Sequence, residues 1–190
     1  MEMKRKNPKL ILGFVGKLCV GKGEAISYLV NEYGFYASSC SDRIREEIKR
    51  SGQEITRERL LETGGKLRKE HGPEVLAKRT WENILQTGTD KAVIDSIRGI
   101  EEVKFLKTLP SFYLIALEAD QEIRFERMKI RKREQDPQTF REFQKTEERD
   151  LSGDGRNVEA CIKMADFKIE NNGIQIELYQ QLECLLEKIQ

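Results

Sequence analysis

The stretch Gly16-Lys17-Leu18-Cys19-Val20-Gly21-Lys22 constrains this 190-residue chain more than any other. The apolar run Leu10 to Val15 leads into it, and Gly23 to Val30 follow with helical character. A buried strand that turns through two glycines into a helix shapes a backbone to cradle phosphates. Amides of the loop and of the first helical turn converge on one point, where the helix dipole also favours negative charge. Lys22 would place its ammonium on the β and γ phosphates, and Gly21 lets the backbone approach without a Cβ in the way. The competing reading is a glycine-rich turn followed by a solvated lysine. All of Gly16, Lys17, Leu18, Cys19, Val20, Gly21, Lys22, Gly23 and Glu24 are therefore candidates for nucleotide binding. A Ser or Thr that ligates Mg²⁺ normally follows the lysine, but Gly23 stands there. A metal must then be held through water or by another side chain.

Composition limits the partners. Thirty-four basic against 33 acidic residues give a net charge of +1, so bulk electrostatics demand neither nucleic acid nor an anionic membrane. Lys4, Arg5, Lys6 and Lys9 could touch nucleic acid, with a frayed, solvated tail as the plainer reading. No run of about eighteen apolar residues suggests a membrane span. The four cysteines, Cys19, Cys40, Cys161 and Cys184, show neither C-x-x-C pairing nor metal-ligand spacing. With no export segment, this places the chain in a reducing cytoplasm. His71 is the only histidine, which excludes a Ser/His/Asp triad and a multi-histidine metal site. The length suits one domain over residues 1–190, and the oligomeric state is open.

Strands over Leu10–Val15, Phe35–Ser39, Lys91–Asp95, Phe112–Leu117 and Ala165–Ile169 alternate with helices, the pattern of a three-layer α/β fold around a parallel sheet. After the second strand, Ser41 or Asp42 can cap the next helix. Asp42 and Arg45 are candidates for meeting a phosphate acceptor, against a capping carboxylate and a solvated arginine. Helices Thr56–Glu70 and Pro73–Leu85 complete an acceptor-binding flap spanning about residues 40–86. In an open parallel sheet the ligand lies beyond the carboxyl ends of the strands, so Asp95 should face the same crevice as the loop. It is the candidate for the metal's water shell or for orienting the acceptor, and Arg98 for charge neutralisation. The alternative for Asp95 is a cap of the helix Ile100–Lys107.

Helix Ile123–Lys132 carries Arg124, Arg127, Arg131 and Arg133, the first three on one face. Such a stripe belongs to a solvated helix or to a lid, here about residues 124–155, that closes Arg127 and Arg131 over transferring phosphates. Glu142–Asp150 continues it as a helix, and Leu151-Ser152-Gly153-Asp154-Gly155 is a candidate hinge.

Gly-Lys-Gly after the loop and Ser41-Asp42-x-x-Arg45 resemble the corresponding segments of adenylate kinases. The run Val93-Ile94-Asp95-Ser96-Ile97-Arg98, with Ala77-Lys78-Arg79-Thr80, is similar to a branch of kinase-like proteins likened to dephospho-CoA kinase or adenylate kinase. The likeness covers nearly the whole chain. It implies a P-loop nucleotide-kinase fold with strand order 2-3-1-4-5. It also implies Mg²⁺ and ATP as cofactors, Arg45 holding the acceptor's phosphate, and backbone near Asn171 beside the adenine. The implied reaction moves the γ-phosphoryl group of ATP to a small acceptor. That acceptor is a nucleoside monophosphate or, with Asp42 as base, the ribose hydroxyl of dephospho-CoA. Two other readings stay open: an ATP-bound switch or ATPase acting with a protein or RNA partner, and a structural domain with a degenerate loop.

Overall fold

The computed structural model describes residues 7–131 and 136–189. Lys4, Arg5 and Lys6 of the basic tail, and Lys132 and Arg133 beyond the arginine stripe, lie outside the described residues.

Strand β1 (Leu10–Val15) is apolar at every position, with five of its six residues buried. That is the pattern of a strand covered on both faces. It lies at the centre of a five-stranded sheet with β2 (Tyr36–Ser39), β3 (Lys91–Asp95), β4 (Phe112–Glu118) and β7 (Phe167–Glu170). The order is β2-β3-β1-β4-β7, and every pairing is parallel. This is the expected 2-3-1-4-5 order, the last strand being numbered seventh because a small hairpin precedes it. That hairpin pairs β5 (Ser152–Gly153) with β6 (Arg156–Asn157) through Asp154 and Gly155, both at positive φ. The expected hinge is thus a tight antiparallel turn.

Alternation along the strands divides the core. Leu12, Phe14, Val93, Ile115 and Leu117 pack against α1 (Lys22–Tyr33) and α9 (Gln175–Ile189). Ile11, Val15, Ile94, Leu114 and Ala116 face the opposite layer. That layer holds α2 (Cys40–Arg50), α3 (Arg57–His71), α4 (Val75–Thr87), α5 (Ile100–Leu106) and α8 (Val158–Lys163). Helices α6 (Gln121–Arg131) and α7 (Phe140–Leu151) pack through the rings of Phe125, Phe140 and Phe143.

Caps correct two expectations. Helix α2 starts two or three residues earlier than a cap at Ser41 or Asp42 implies, and its cap is Ser39, whose hydroxyl accepts from the Ser41 amide at 3.2 Å. Ser41 and Asp42 are therefore inside the helix. Helix α5 is not capped by Asp95; the Glu102 carboxylate accepts from the amides of Arg98 and Gly99 at 2.9 and 3.0 Å. Helix α4 begins at Val75, with Pro73 outside it.

Candidate functional site

The loop leaves β1 at Val15 and enters α1 through Gly21, whose φ of 104° lies where side chains are strained. A Cβ there would also stand 2.3 Å from Nδ2 of Asn171, so two independent constraints demand glycine. Gly23 has no such constraint, because a Cβ there meets nothing within 4 Å.

Residues 16–24 form one wall of a cavity of about 550 Å³. Asp95 and Arg98 form another, and Arg127 and Arg131 a third. Lys22 Nζ donates to the carbonyls of Gly16 at 2.8 Å and Lys17 at 3.2 Å. Burial pushes its ammonium below the ordinary lysine range, and the Asp95 carboxylate pulls it back up. Oδ1 of Asp95 is buried without a hydrogen-bond partner, while Ser96 Oγ donates to Oδ2 at 3.3 Å. Ser96 itself has φ 61°, a left-handed conformation that a residue without glycine's freedom holds only under constraint. The Arg98 guanidinium has no hydrogen-bond or ion-pair partner among the described residues.

Two residues of the candidate loop turn their side chains elsewhere. Lys17 donates to Glu159 at 3.1 Å, and Glu24 accepts from Gln175 and Tyr179. Cys19 has φ 58° and a thiol that burial pushes above its usual range.

The three arginines grouped by spacing go to different places. Arg124 is buried against Glu147 of α7, with further hydrogen bonds to the carbonyls of Ala119 at 3.0 Å and Leu18 at 3.1 Å. Arg127 reaches Asn171 Oδ1 at 3.4 Å and the Gly173 carbonyl at 3.3 Å, its Nη1 buried without a partner. Burial lowers its pKa. Arg131 grips Asp136 with Nε and Nη2 at 3.0 and 2.5 Å. Asn171 approaches the loop through its side chain: Nδ2 donates to the Val20 carbonyl at 2.9 Å.

Asp42 and Arg45 lie together at one mouth of a second cavity, of about 510 Å³. Arg45 Nη1 bonds Ser41 Oγ at 2.5 Å and Asp42 Oδ1 at 3.0 Å, with both side chains about half exposed. Asp95, Ser96 and Arg98 line this cavity as well as the first. Two arginines absent from the sequence reading complete it. Arg68 pairs with fully buried Glu102 at 2.8 Å. Arg156 donates to the carbonyls of Gly153, Arg149 and Asp150 at 3.0, 3.2 and 3.4 Å. Burial and then the neighbouring Arg98 push Arg156 below the ordinary arginine range. A signal for Arg68 exists: it falls four residues after Gly64 and one after Leu67, on the stripe α3 buries. Glu102 sits three residues after Gly99, the position of a capping glutamate.

The residues fit a polyphosphate. Lys22, Arg98 and Arg127 bring three cations to a cavity whose free polar atoms include Nη1 of Arg127 and Oδ1 of Asp95. Among the described residues no group of three or more His, Cys, Asp or Glu could hold a metal. A Mg²⁺ ion here would therefore rely on phosphate oxygens and water, with Asp95 as the protein's contribution. No helix among the described residues is long and apolar enough to cross a membrane.

A family model described as an AAA domain matches residues 15–144. A UPF0200/UPF0201 protein of Archaeoglobus fulgidus is 33% identical over 183 residues, covering 94% of this chain and 55% of the relative, so the chain spans about half of that protein's length. A UPF0200 protein of Thermococcus kodakarensis is 34% identical over 175 residues, covering 88% of this chain and 93% of the relative. Among solved structures, shikimate kinase from Bacteroides thetaiotaomicron superposes with a TM-score of 0.59 at 15% identity, over 94% of this chain and 98% of its own. That likeness is one of fold. The chain belongs to the AAA domain and UPF0200 families, and its fold is that of a P-loop kinase-like NTPase.

Proposed function

We propose that the protein transfers the γ-phosphoryl group of Mg-ATP to a small acceptor that carries its own phosphate, a nucleoside monophosphate first. The observation that carries this reading is the junction of the two cavities at Asp95, Ser96 and Arg98. Two cavities that share these residues would let a donor and an acceptor meet end to end, as in-line displacement requires. Mg-ATP supplies the transferable phosphoryl group and the charge of its metal.

The chain's residues supply position and electrostatics. Lys22 and the loop amides hold the phosphate chain, and Asp95 would orient water around the metal. Arg45, with Arg68 and Arg156 behind it, makes the second cavity a place for an acceptor's anion. Arg98 faces both cavities, where charge moves from donor to acceptor. Helices α6 and α7 with the hairpin act as a lid, bringing Arg127 and Arg131 onto the phosphates and excluding water. Release of Arg131 from Asp136 is part of that closure. Helices α2 to α4 form the acceptor flap, and the setting is the cytoplasm.

Asp42 favours a second acceptor. Its carboxylate lies on the acceptor cavity, where it could take the proton of a ribose hydroxyl, as dephospho-CoA would need. Incubating the protein with Mg-ATP and each of the nucleoside monophosphates or dephospho-CoA, and following ADP release, separates these acceptors. Acceleration by one acceptor, lost in Arg45→Ala, supports transfer. Slow hydrolysis that no acceptor accelerates and Arg45→Ala leaves intact would identify an ATPase or switch instead.

A further inference from the structure

Four carbonyl oxygens of the phosphate loop are each held by a side chain. Lys22 takes those of Gly16 and Lys17, Arg124 that of Leu18, and Asn171 that of Val20. In a trans peptide the C=O and the following N–H point in opposite directions from one plane. A hydrogen bond on the Leu18 carbonyl therefore fixes the direction of the Cys19 amide, and one on the Val20 carbonyl fixes that of Gly21. Both of these amides lie in backbone with positive φ, at 58° and 104°, so the peptides have conformations that need an outside hold. Neither Arg124 nor Asn171 belongs to the loop. They come from α6 and from the end of β7.

Each of the two is itself anchored. Asn171 is buried, its own amide bonded to the Glu118 carbonyl at 2.8 Å. Arg124 is buried, and its charge is answered by Glu147 of α7, which also accepts from Gln121 at 2.9 Å. A buried ion pair that served only to join α6 to α7 would have no need to reach the loop, yet Nη1 of Arg124 is shared between Glu147 and the Leu18 carbonyl.

Building on the phosphate-binding reading above, we infer that Arg124 and Asn171 are positioning residues that aim the Cys19 and Gly21 amides at the phosphate chain. Through Glu147 the seating of α7 becomes a condition for that aim. Arg124 thus acts on the nucleotide without touching it, in contrast to Arg127 and Arg131.

The test uses inorganic tripolyphosphate and Mg-ATP as probes of the full chain. Asn171→Leu removes one hold with little change of shape. Arg124→Met combined with Glu147→Leu removes the other without stranding a buried charge. Calorimetry measures affinity, amide NMR follows Cys19 and Gly21, and thermal melting checks the fold. In the unaltered protein both amide protons should move downfield as tripolyphosphate binds. Asn171→Leu should lose the Gly21 response and keep that of Cys19, and the double variant should do the reverse. Each should bind both probes about tenfold more weakly, the effect of one misdirected charge-assisted hydrogen bond. Unaltered affinity with both responses intact overturns the inference, as does loss of both responses together in either variant. If the double variant fails to fold, the Gly21 response in Asn171→Leu decides alone. If the unaltered protein binds neither probe, the phosphate-binding reading itself falls, and this inference with it.

Discussion

Asp95 and Arg98 stand three residues apart at the end of β3, and both line the loop cavity and the arginine-rich cavity beside it. The strand brings them there by register: Ile94 pairs with Gly13 in β1 and Asp95 with Ser39 in β2, so the strand ends beside the last residues of β1 on one side and the cap of α2 on the other. Oδ1 of Asp95 has no protein partner, but its charge answers Lys22, so Asp95→Asn should cost about 1 kcal/mol of stability and leave the protein folded. Turnover with the best acceptor should fall on the order of a hundredfold. Parallel thermal melts and ADP-release assays check both; full turnover would remove Asp95 from the mechanism.

Lys22 sets a pH dependence. Its ammonium is held below the ordinary lysine value by burial, so the native state releases that proton at lower pH than the unfolded chain does. The cost of burying the charge is fully present below the folded pKa, and stability rises as pH climbs from there towards the ordinary lysine value of 10.5. Lys22→Met should abolish this component of the slope. Urea denaturation at a series of alkaline pH values, compared between the two proteins, measures it; identical slopes would contradict the burial.

Gly21 and Gly23 should behave oppositely on substitution. Gly21→Ala meets Asn171 at 2.3 Å in a left-handed backbone and should cost about 1–3 kcal/mol together with phosphate affinity. Gly23→Ser enters open space in the first turn of α1 and should stabilise by about 0.5 kcal/mol through helix propensity. It would also restore a hydroxyl where a metal ligand usually stands, so Mg²⁺ should be needed at lower concentration for ATP binding. Melting curves and Mg²⁺ titrations provide the readouts.

Glu102 holds together the floor of the arginine-rich cavity. It is fully buried, pairs with Arg68, and caps α5 through the amides of Arg98 and Gly99. Glu102→Ala should cost about 3–5 kcal/mol, because Arg68 is left as a buried charge without its counter-ion. Replacing both, with Arg68→Met and Glu102→Leu, should recover part of that loss while leaving the α5 cap broken. Equilibrium unfolding of the single and double variants resolves the two contributions.

The sheet was legible because its strands announce themselves: Leu10–Val15 and Phe112–Leu117 are apolar on both faces, and the glycines at 16 and 21 mark where β1 turns into α1. Nothing in the sequence singles out the cap of α2, because Ser39, Ser41 and Asp42 all have capping side chains, and only the backbone of Ser39, extended at φ −130°, tells them apart. Helical spacing put Arg124 with Arg127 and Arg131, but spacing says nothing of what lies opposite a face. Glu147 comes from a helix 23 residues later, and its carboxylate answers the charge that makes Arg124 an interior residue. Arg156 had no local signal either, since its burial depends on the hairpin folding back over its own guanidinium.

The proposed phosphoryl transfer depends on a polyphosphate held in the loop cavity by Lys22. Calorimetric titration of Mg-ATP into the unaltered protein and into Lys22→Met tests this most directly. The prediction is saturable binding at one site, weakened at least about tenfold in the variant. Absence of binding, or equal affinity in the two proteins, would contradict it.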